Sequence, residues 1–304
     1  MDSCKLLKQI VSIPCLSGFE PSSKLPEKIR FLLRKFRPRL DSLGNVTAKI
    51  NSGKPKILVE AHLDEVGFFK AADKIYPLGD IDLCMFYMRD FELKNNLLYF
   101  KRKFKRRDNI LKSPALDNRV GCVALLMLPK IVEDIKADIT LAFTSKEETT
   151  QEGILKIVRG IKPDILISID SAYAKPFLNN NRKYNIPILG KGPAIQKVGK
   201  NFKTEDIEQL LKIASINKLK TQFEIIDPEI GQTNLSRLKR FNFKKVQINI
   251  PVRYQHSKNS EVNLKDIEET TMFLAQVIRY YSETLINNQN LNKSRKEEGK
   301  KETK

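Results

Sequence analysis

ILVEAHLDEVGF, residues 57–68, opens on an apolar, β-branched run from Ile57 to Ala61 and stops at a histidine followed two residues later by an aspartate. A run this short and this apolar reads as a strand buried on both faces, as in the middle of a parallel sheet. His62 and Asp64 then fall at the strand's carboxyl end, where open α/β sheets bind their ligands. The same texture recurs at Val46 to Ile50, Ile139 to Thr144, Ile165 to Asp170 and Val246 to Val252. Stretches of helical period lie around these strands, at Asp2 to Val11, Pro26 to Phe36, Arg119 to Ile131, Thr204 to Ile216 and Leu264 to Leu285. Pro26 suits a first helical turn, where its missing N–H is no loss. The alternation predicts an α/β fold, a mostly parallel sheet flanked by helices.

One segment breaks the pattern. From Phe69 to Asn109 aromatic and basic residues alternate, as in LLYFKRKFKRR, and Pro77 and Gly79 interrupt the start. Residues 69–109 therefore read as a small β insert within a discontinuous α/β domain formed by 1–68 and 110–287. Residues 288–304 are nearly devoid of apolar side chains and are expected as a disordered, solvated tail, because nothing there offsets the entropy of ordering.

The chain has 304 residues, 41% of them hydrophobic, enough for a packed core. Lys+Arg 55 against Asp+Glu 36 gives a formal charge of +19, compatible with anionic partners without demanding one. Cys4, Cys15, Cys84 and Cys122 are scattered, with no Cys-x-x-Cys spacing, and read as reduced thiols in a cytoplasmic protein. MDSCKLLKQIVSIP has an acid and lysines within its apolar run, so no secretory leader is expected. No stretch approaches the roughly 18 to 20 apolar residues of a membrane span.

His62 and His256 are the only histidines, and each follows a predicted strand. Asp64 is close enough to accept the second ring N–H of His62, fixing its tautomer for metal ligation. Asp117 precedes a helix, Glu147 and Glu148 follow a strand, and Asp170 ends one. Taken singly, Asp117 is as well explained as a helix cap and the two glutamates as a solvated turn. Asp170 ends an apolar strand, and a buried carboxylate there needs a cation or several donors. Two imidazoles and several carboxylates on one sheet edge make an N/O site suited to Zn2+ or Co2+, with room for two ions if one carboxylate bridges. Adjacent glutamates can divide the work, one ligating metal while the other takes a proton from water.

These segments resemble the tetrahedral, deblocking or glutamyl-type aminopeptidases, di-metal exopeptidases. The resemblance is carried by LSGFE (16–20), DSLGNV (41–46), AHLDEVGF (61–68), ALDNRVGC (115–122), FTSKEE (143–148), SIDSA (168–172), LGKGPAI (189–195) and PVRYQHS (251–257). It implies an aminopeptidase with two divalent ions, Zn2+ or else Co2+, held by His62, Asp117, Glu148, Asp170 and His256, with Asp117 bridging. Glu147 would be the general base and Asp64 the carboxylate orienting His62, with attack on the first peptide bond by a metal-bridging hydroxide. Many members assemble as hollow dodecamers.

The chain departs from that pattern in places. Lys146 precedes the paired glutamates where glutamine is usual and is expected to point outward; Asn118 replaces an aspartate. TTQEG (149–153) lacks the usual Val-Gly pair, and Gln232-Thr233-Asn234 stands for Gly-Thr-Asp. The insert is shorter than the usual dimerisation domain, so a monomer, dimer or nonstandard oligomer is expected in place of the dodecamer. Two other readings remain at this point. One is a di-metal amidohydrolase or deacylase acting on non-peptide substrates. The other is a nucleic-acid-binding protein with a vestigial metal site, prompted by Lys101, Arg102, Lys103, Lys105, Arg106 and Arg107 around Phe104. A charged, solvated β edge explains that run better.

Overall fold

The computed structural model describes residues 2–82, 87–176, 184–197, 204–226 and 233–301, with side chains at all of these except 197, 204 and 286–301. Cys84 and Gln232 lie outside the described residues. The strands are β1 (Arg39–Leu40), β2 (Val46–Lys49), β3 (Lys56–His62), β4 (Gly67–Ala71), β5 (Lys74–Leu78), β6 (Phe91–Lys94), β7 (Leu97–Phe100), β8 (Lys105–Arg107) and β9 (Ile110–Lys112). They continue with β10 (Asp138–Thr144), β11 (Ile165–Tyr173), β12 (Ala194–Lys197), β13 (Gln222–Ile225), β14 (Lys244–Arg253) and β15 (Glu261–Asn263). The helices are α1 (Ser3–Val11), α2 (Leu25–Leu32), α3 (Leu116–Met127), α4 (Glu152–Ile161), α5 (Thr204–Ile216) and α6 (Leu264–Lys301).

The large sheet runs β1-β2-β10-β3-β11-β14-β15-β9-β8, with β12 beside β14 and β13 beside β12. Its centre is parallel: β10 with β3, β3 with β11, β11 with β14. Antiparallel β2 and β15 flank that centre, so the sheet is mixed with a parallel heart. Thr144 lies opposite His62 in the register, and β11 and β14 run beside them in the same direction. The carboxyl ends of four adjacent strands thus share one edge.

Helices cover both faces. On one, Leu6, Leu7 and Ile10 of α1, Val120, Val123 and Leu125 of α3, and Ile267, Phe273, Val277 and Ile278 of α6 pack on alternate strand residues such as Ile57, Val59 and Ile139. Asp2 caps α1 by accepting from the Lys5 N–H at 3.1 Å. On the other face, Ile154, Ile157 and Val158 of α4 meet Leu58, Ala142, Leu166, Leu235 and Leu238. The sequence reading gave no helix at α4. The apolar positions at its heart recur with helical spacing, but Gly153 and Gly160 dilute the pattern. Gly153 has a positional reason: a Cβ there would collide with the Ser145 carbonyl, so its absence lets α4 start directly behind the Glu147–Glu148 turn.

Several boundaries differ from expectation. β11 runs on to Tyr173, so Asp170, expected to end its strand, lies within it. α3 begins at Leu116, so Asp117 lies in its first turn, and it gives way to a 3-10 turn, Leu128–Lys130, containing Pro129. α2 stops at Leu32 rather than Phe36. α6 continues to Lys301, where a solvated, irregular tail was expected beyond residue 287. Its Lys, Arg and Glu residues have high helix propensity, which carries the backbone past the last core turn. No helix among the described residues is long and apolar enough to cross a membrane.

Strands β5-β4-β7-β6 form a second, four-stranded sheet. It encloses a small cluster of Val66, Phe68, Ile81, Phe91, Leu98 and Phe100, with the Phe91 and Phe100 rings stacked at 4.5 Å. The basic run does not stay within this sheet. Lys105–Arg107 is an outer strand of the large sheet, its three residues exposed, and Phe104 packs against the main core. Charge on such a strand discourages edge-to-edge pairing.

Candidate metal centre

Each strand that ends on the shared edge delivers at least one polar group. β3 delivers His62, the turn after β10 delivers Glu147 and Glu148, β11 delivers Asp170, and the turn after β14 delivers His256. Asp117 comes from the start of α3, which packs behind β3 and β11. Its carboxylate stands between the imidazoles, with Oδ1 3.2 Å from His62 Nε2 and Oδ2 3.2 Å from His256 Nε2. Asp170 Oδ1 lies 3.4 Å from His62 Nε2, and Glu148 Oε1 lies 3.4 Å from His256 Nε2. Glu147 Oε2 is 4.0 Å from His62 Nε2.

Both rings are set by backbone carbonyls. His62 Nδ1 is 3.2 Å from the Asp64 carbonyl, and His256 Nδ1 is 2.7 Å from that of Asp80, so each ring donates from Nδ1 and aims Nε2 at Asp117. The sequence reading assigned the His62 contact to the Asp64 carboxylate, but that group is farther away, at 3.7 Å. Its oxygens are engaged elsewhere: Oδ1 accepts from the Glu147 N–H and Oδ2 from the Glu148 N–H, each at 3.1 Å. Asp64 thereby clamps the glutamate pair. The partner of His256 was invisible in sequence, because Asp80 contributes a carbonyl and stands in the insert region, far away along the chain.

Electrostatics follow from crowding. Burial alone pushes the carboxyls of Glu147 and Glu148 up; nearby carboxylates add to this, and the histidines only partly offset it. Burial likewise raises Asp170, with His62 opposing. Burial opposes protonation of His62, yet Asp117, Asp170 and Asp64 outweigh it and raise the imidazole well above its usual range. Burial also acts to raise Asp117, but the two histidines win and hold it below the usual carboxylate range. Asp117 Oδ1 and Glu148 Oε1 are buried with no hydrogen-bond partner. Such orphaned acceptors, facing imidazole nitrogens across an edge rich in carboxylate, suit divalent cations. His62, Asp117 and Glu148 offer ligand atoms all within 4.8 Å of one another. Thiolate ligation is not part of the set: Cys122 Sγ faces the His62 carbonyl at 3.2 Å, and burial pushes its thiol up to about 12.

Neighbours of the site explain several departures. Lys146 turns outward, its Nζ 2.8 Å from Glu152 Oε2. Asn118 donates from Nδ2 to the Ile169 carbonyl at 2.8 Å and accepts from the Gly121 N–H at 3.0 Å, a two-way bond an ionised aspartate cannot make. Gln151, from TTQEG, donates to Glu147 Oε1 at 3.4 Å and to the Thr233 carbonyl at 3.2 Å.

Arg119 carried no assignment in the sequence reading, because a buried arginine announces itself only through its partners. It is fully buried, donates to the Leu63 carbonyl, and reaches Glu65 at 3.3 Å. Glu65 also accepts from Arg102, one of the six cations in the basic run, and from the Cys15 N–H at 2.7 Å. This bracket holds the segment that follows His62. Arg119→Leu is expected to destabilise the fold by about 3 kcal/mol, since it strips a buried ion pair of one member. Urea unfolding would show this as a lowered midpoint at unchanged slope, and an unaltered midpoint would contradict it.

A cleft of about 370 Å3 opens over the cluster, and Gln196, Glu224, Thr233 and Arg237 also line it. The family model for the M42 glutamyl aminopeptidases matches residues 95–273. A lysyl aminopeptidase from Pyrococcus furiosus is 23% identical over 328 residues, covering 88% of this chain and 94% of that protein. A glutamyl aminopeptidase from Lactococcus lactis subsp. cremoris is 23% identical over 351 residues, covering 90% and 94%. Among solved structures, PhTET1-12s, a dodecamer in the asymmetric unit, superposes with a TM-score of 0.80 at 21% identity, covering 91% of this chain and 99% of that one. The expectation that the short insert precludes such an assembly therefore draws no support: this chain matches nearly the whole length of a subunit that forms one.

Proposed function

The chain belongs to the M42 glutamyl aminopeptidase family and is a peptide-bond hydrolase; from that premise we propose that it removes N-terminal residues from peptides at a two-cation centre built on Asp117. The observation that carries this reading is the placement of one Asp117 oxygen 3.2 Å from each imidazole, an arrangement that would let the carboxylate serve two ions at once. His62 and Asp170 would complete one ion's set, His256 and Glu148 the other's. The donor set is all nitrogen and oxygen, which favours Zn2+ or Co2+. When bound, such ions supply Lewis acidity towards the scissile carbonyl and acidify water towards neutral pH.

The chain's own residues do the rest. Glu147, left free of the two ligand sets, takes the proton from water and returns it to the leaving amine. Asp64 holds the base in place through the Glu147 N–H, and Gln151 steadies its Oε1. The carbonyls of Asp64 and Asp80 keep both imidazoles in the tautomer that presents Nε2. Self-association belongs to the same reading: Tyr76, Tyr87, Met88 and Leu93 are exposed on or beside the insert sheet and offer an apolar surface to another copy. Light scattering is expected to return a multi-subunit mass, and a monomer mass would contradict this.

Hydrolysis of a panel of aminoacyl chromogenic substrates tests the activity. EDTA is expected to abolish turnover and added Zn2+ or Co2+ to restore it. Turnover indifferent to chelation would overturn the metal centre, and cleavage of N-acylated substrates in preference to free-amine ones would favour the deacylase reading.

A further inference from the structure

Strands β12, β13 and β14 present an apolar face to the core and a polar face to the cleft. Ile195, Val246, Ile248 and Ile250 belong to the main core. On alternate positions stand Gln196, Glu224, Gln247 and Asn249, exposed by only 3%, 1%, 1% and 0%. Sheet faces this buried are ordinarily apolar, since a polar group out of water must be matched by partners.

Most of the matching runs one way. Thr233 Oγ1 donates to Gln247 Oε1 at 3.2 Å, Gln247 Nε2 to Asn249 Oδ1 at 2.6 Å, and Asn249 Nδ2 to Glu224 Oε2 at 2.9 Å. The relay ends on a carboxylate that lines the cleft. Gln196 lies directly opposite Glu224 in the β12–β13 register, also lines the cleft, and has a buried Oε1 with no partner. Among the described residues no cationic side chain pairs with Glu224, and burial, against the donation from Asn249, pushes its carboxyl up to about 8. The patch is an acceptor pair whose natural complement is a donor carrying positive charge.

We propose that Glu224 and Gln196 form a subsite for the cationic side chain of a basic N-terminal residue, the ammonium of lysine or the guanidinium of arginine. The inference rests on the aminopeptidase reading above and supplies its side-chain preference. The names of the relatives do not decide that preference, since one is lysyl and another glutamyl. Charge does favour it. Among the described residues, six carboxylates line the cleft, from Asp80, Asp117, Glu147, Glu148, Asp170 and Glu224, against one arginine, Arg237, which is exposed. Glu224 and Gln196 line the same cleft and belong to neither of the two ligand sets proposed above.

The test compares lysyl and leucyl substrates on the metal-loaded protein, with wild type, Glu224→Gln and Gln196→Met. Wild type is expected to favour the lysyl substrate. Glu224→Gln should lower the lysyl-to-leucyl ratio of kcat/KM by about 30-fold or more, as removal of a desolvated charge partner does. Gln196→Met, which keeps shape and loses one acceptor, should lower it by about 3- to 10-fold. Calorimetric binding of lysinamide against norleucinamide gives the same comparison without turnover, so loss of the peptidase reading would leave this arm standing. A ratio unchanged in both variants, an equal loss on both substrates, or a wild-type preference for glutamyl substrates through Arg237 would overturn the proposal.

Discussion

Glu147→Gln is expected to keep both ions bound and to lower kcat by about a hundred- to ten-thousandfold, the usual contribution of a positioned acid–base group. The side chain is buried, lies 4.0 Å from His62 Nε2 and belongs to neither ligand set. Glutamine preserves its shape and its hydrogen bond with Gln151 but cannot accept a proton at the working pH. KM should change little, because the loss falls on the transition state. Metal content measured beside the kinetics separates the roles: lost ions would make Glu147 a ligand, and near wild-type turnover would remove it from the chemistry.

The second large effect is expected at Asp117. Asparagine there replaces one of two equivalent oxygens by an amide that donates, facing an imidazole nitrogen where an ion is expected. Affinity for at least one ion should fall by more than about a hundredfold, beyond what loss of a mere supporting hydrogen bond causes. Activity should fall with it and recover only at high metal concentration, if at all. Isothermal titration of the metal-free variant with Zn2+ reads this directly. Two tight sites retained in Asp117→Asn would show that the carboxylate does not bridge.

Much of this was legible in the sequence because burial on both faces writes itself plainly. Ile57 to Ala61 and Ile165 to Asp170 are nearly uninterrupted apolar runs, so their strands and the polar residues towards their carboxyl ends stood out, and the six residues brought together around Asp117 were all named beforehand. What escaped depended on partners distant in the chain. Arg119 looks like any helix arginine until Leu63 and Glu65 fold over it. Asp80 acts through a carbonyl, which no side-chain pattern reveals. Asp64 was read by proximity to His62, and the two backbone N–H groups that claim its carboxylate come from residues more than eighty positions on. Gln196, Gln247 and Asn249 look like solvent-facing positions of alternating strands, and only the packing of β12 to β14 against the cleft shows them buried. The end of α6 was missed for the opposite reason: core periodicity stops near Leu285, whereas helix propensity does not.

Two cations sharing Asp117 are the centre of the proposed chemistry. Elemental analysis of the Zn2+-loaded, desalted protein, paired with anomalous diffraction at the zinc edge, measures that claim. Two ions per chain are expected, one between Asp117 and His62 and one between Asp117 and His256. A chain that retains no ion after loading, or that holds zinc away from Asp117, would contradict it.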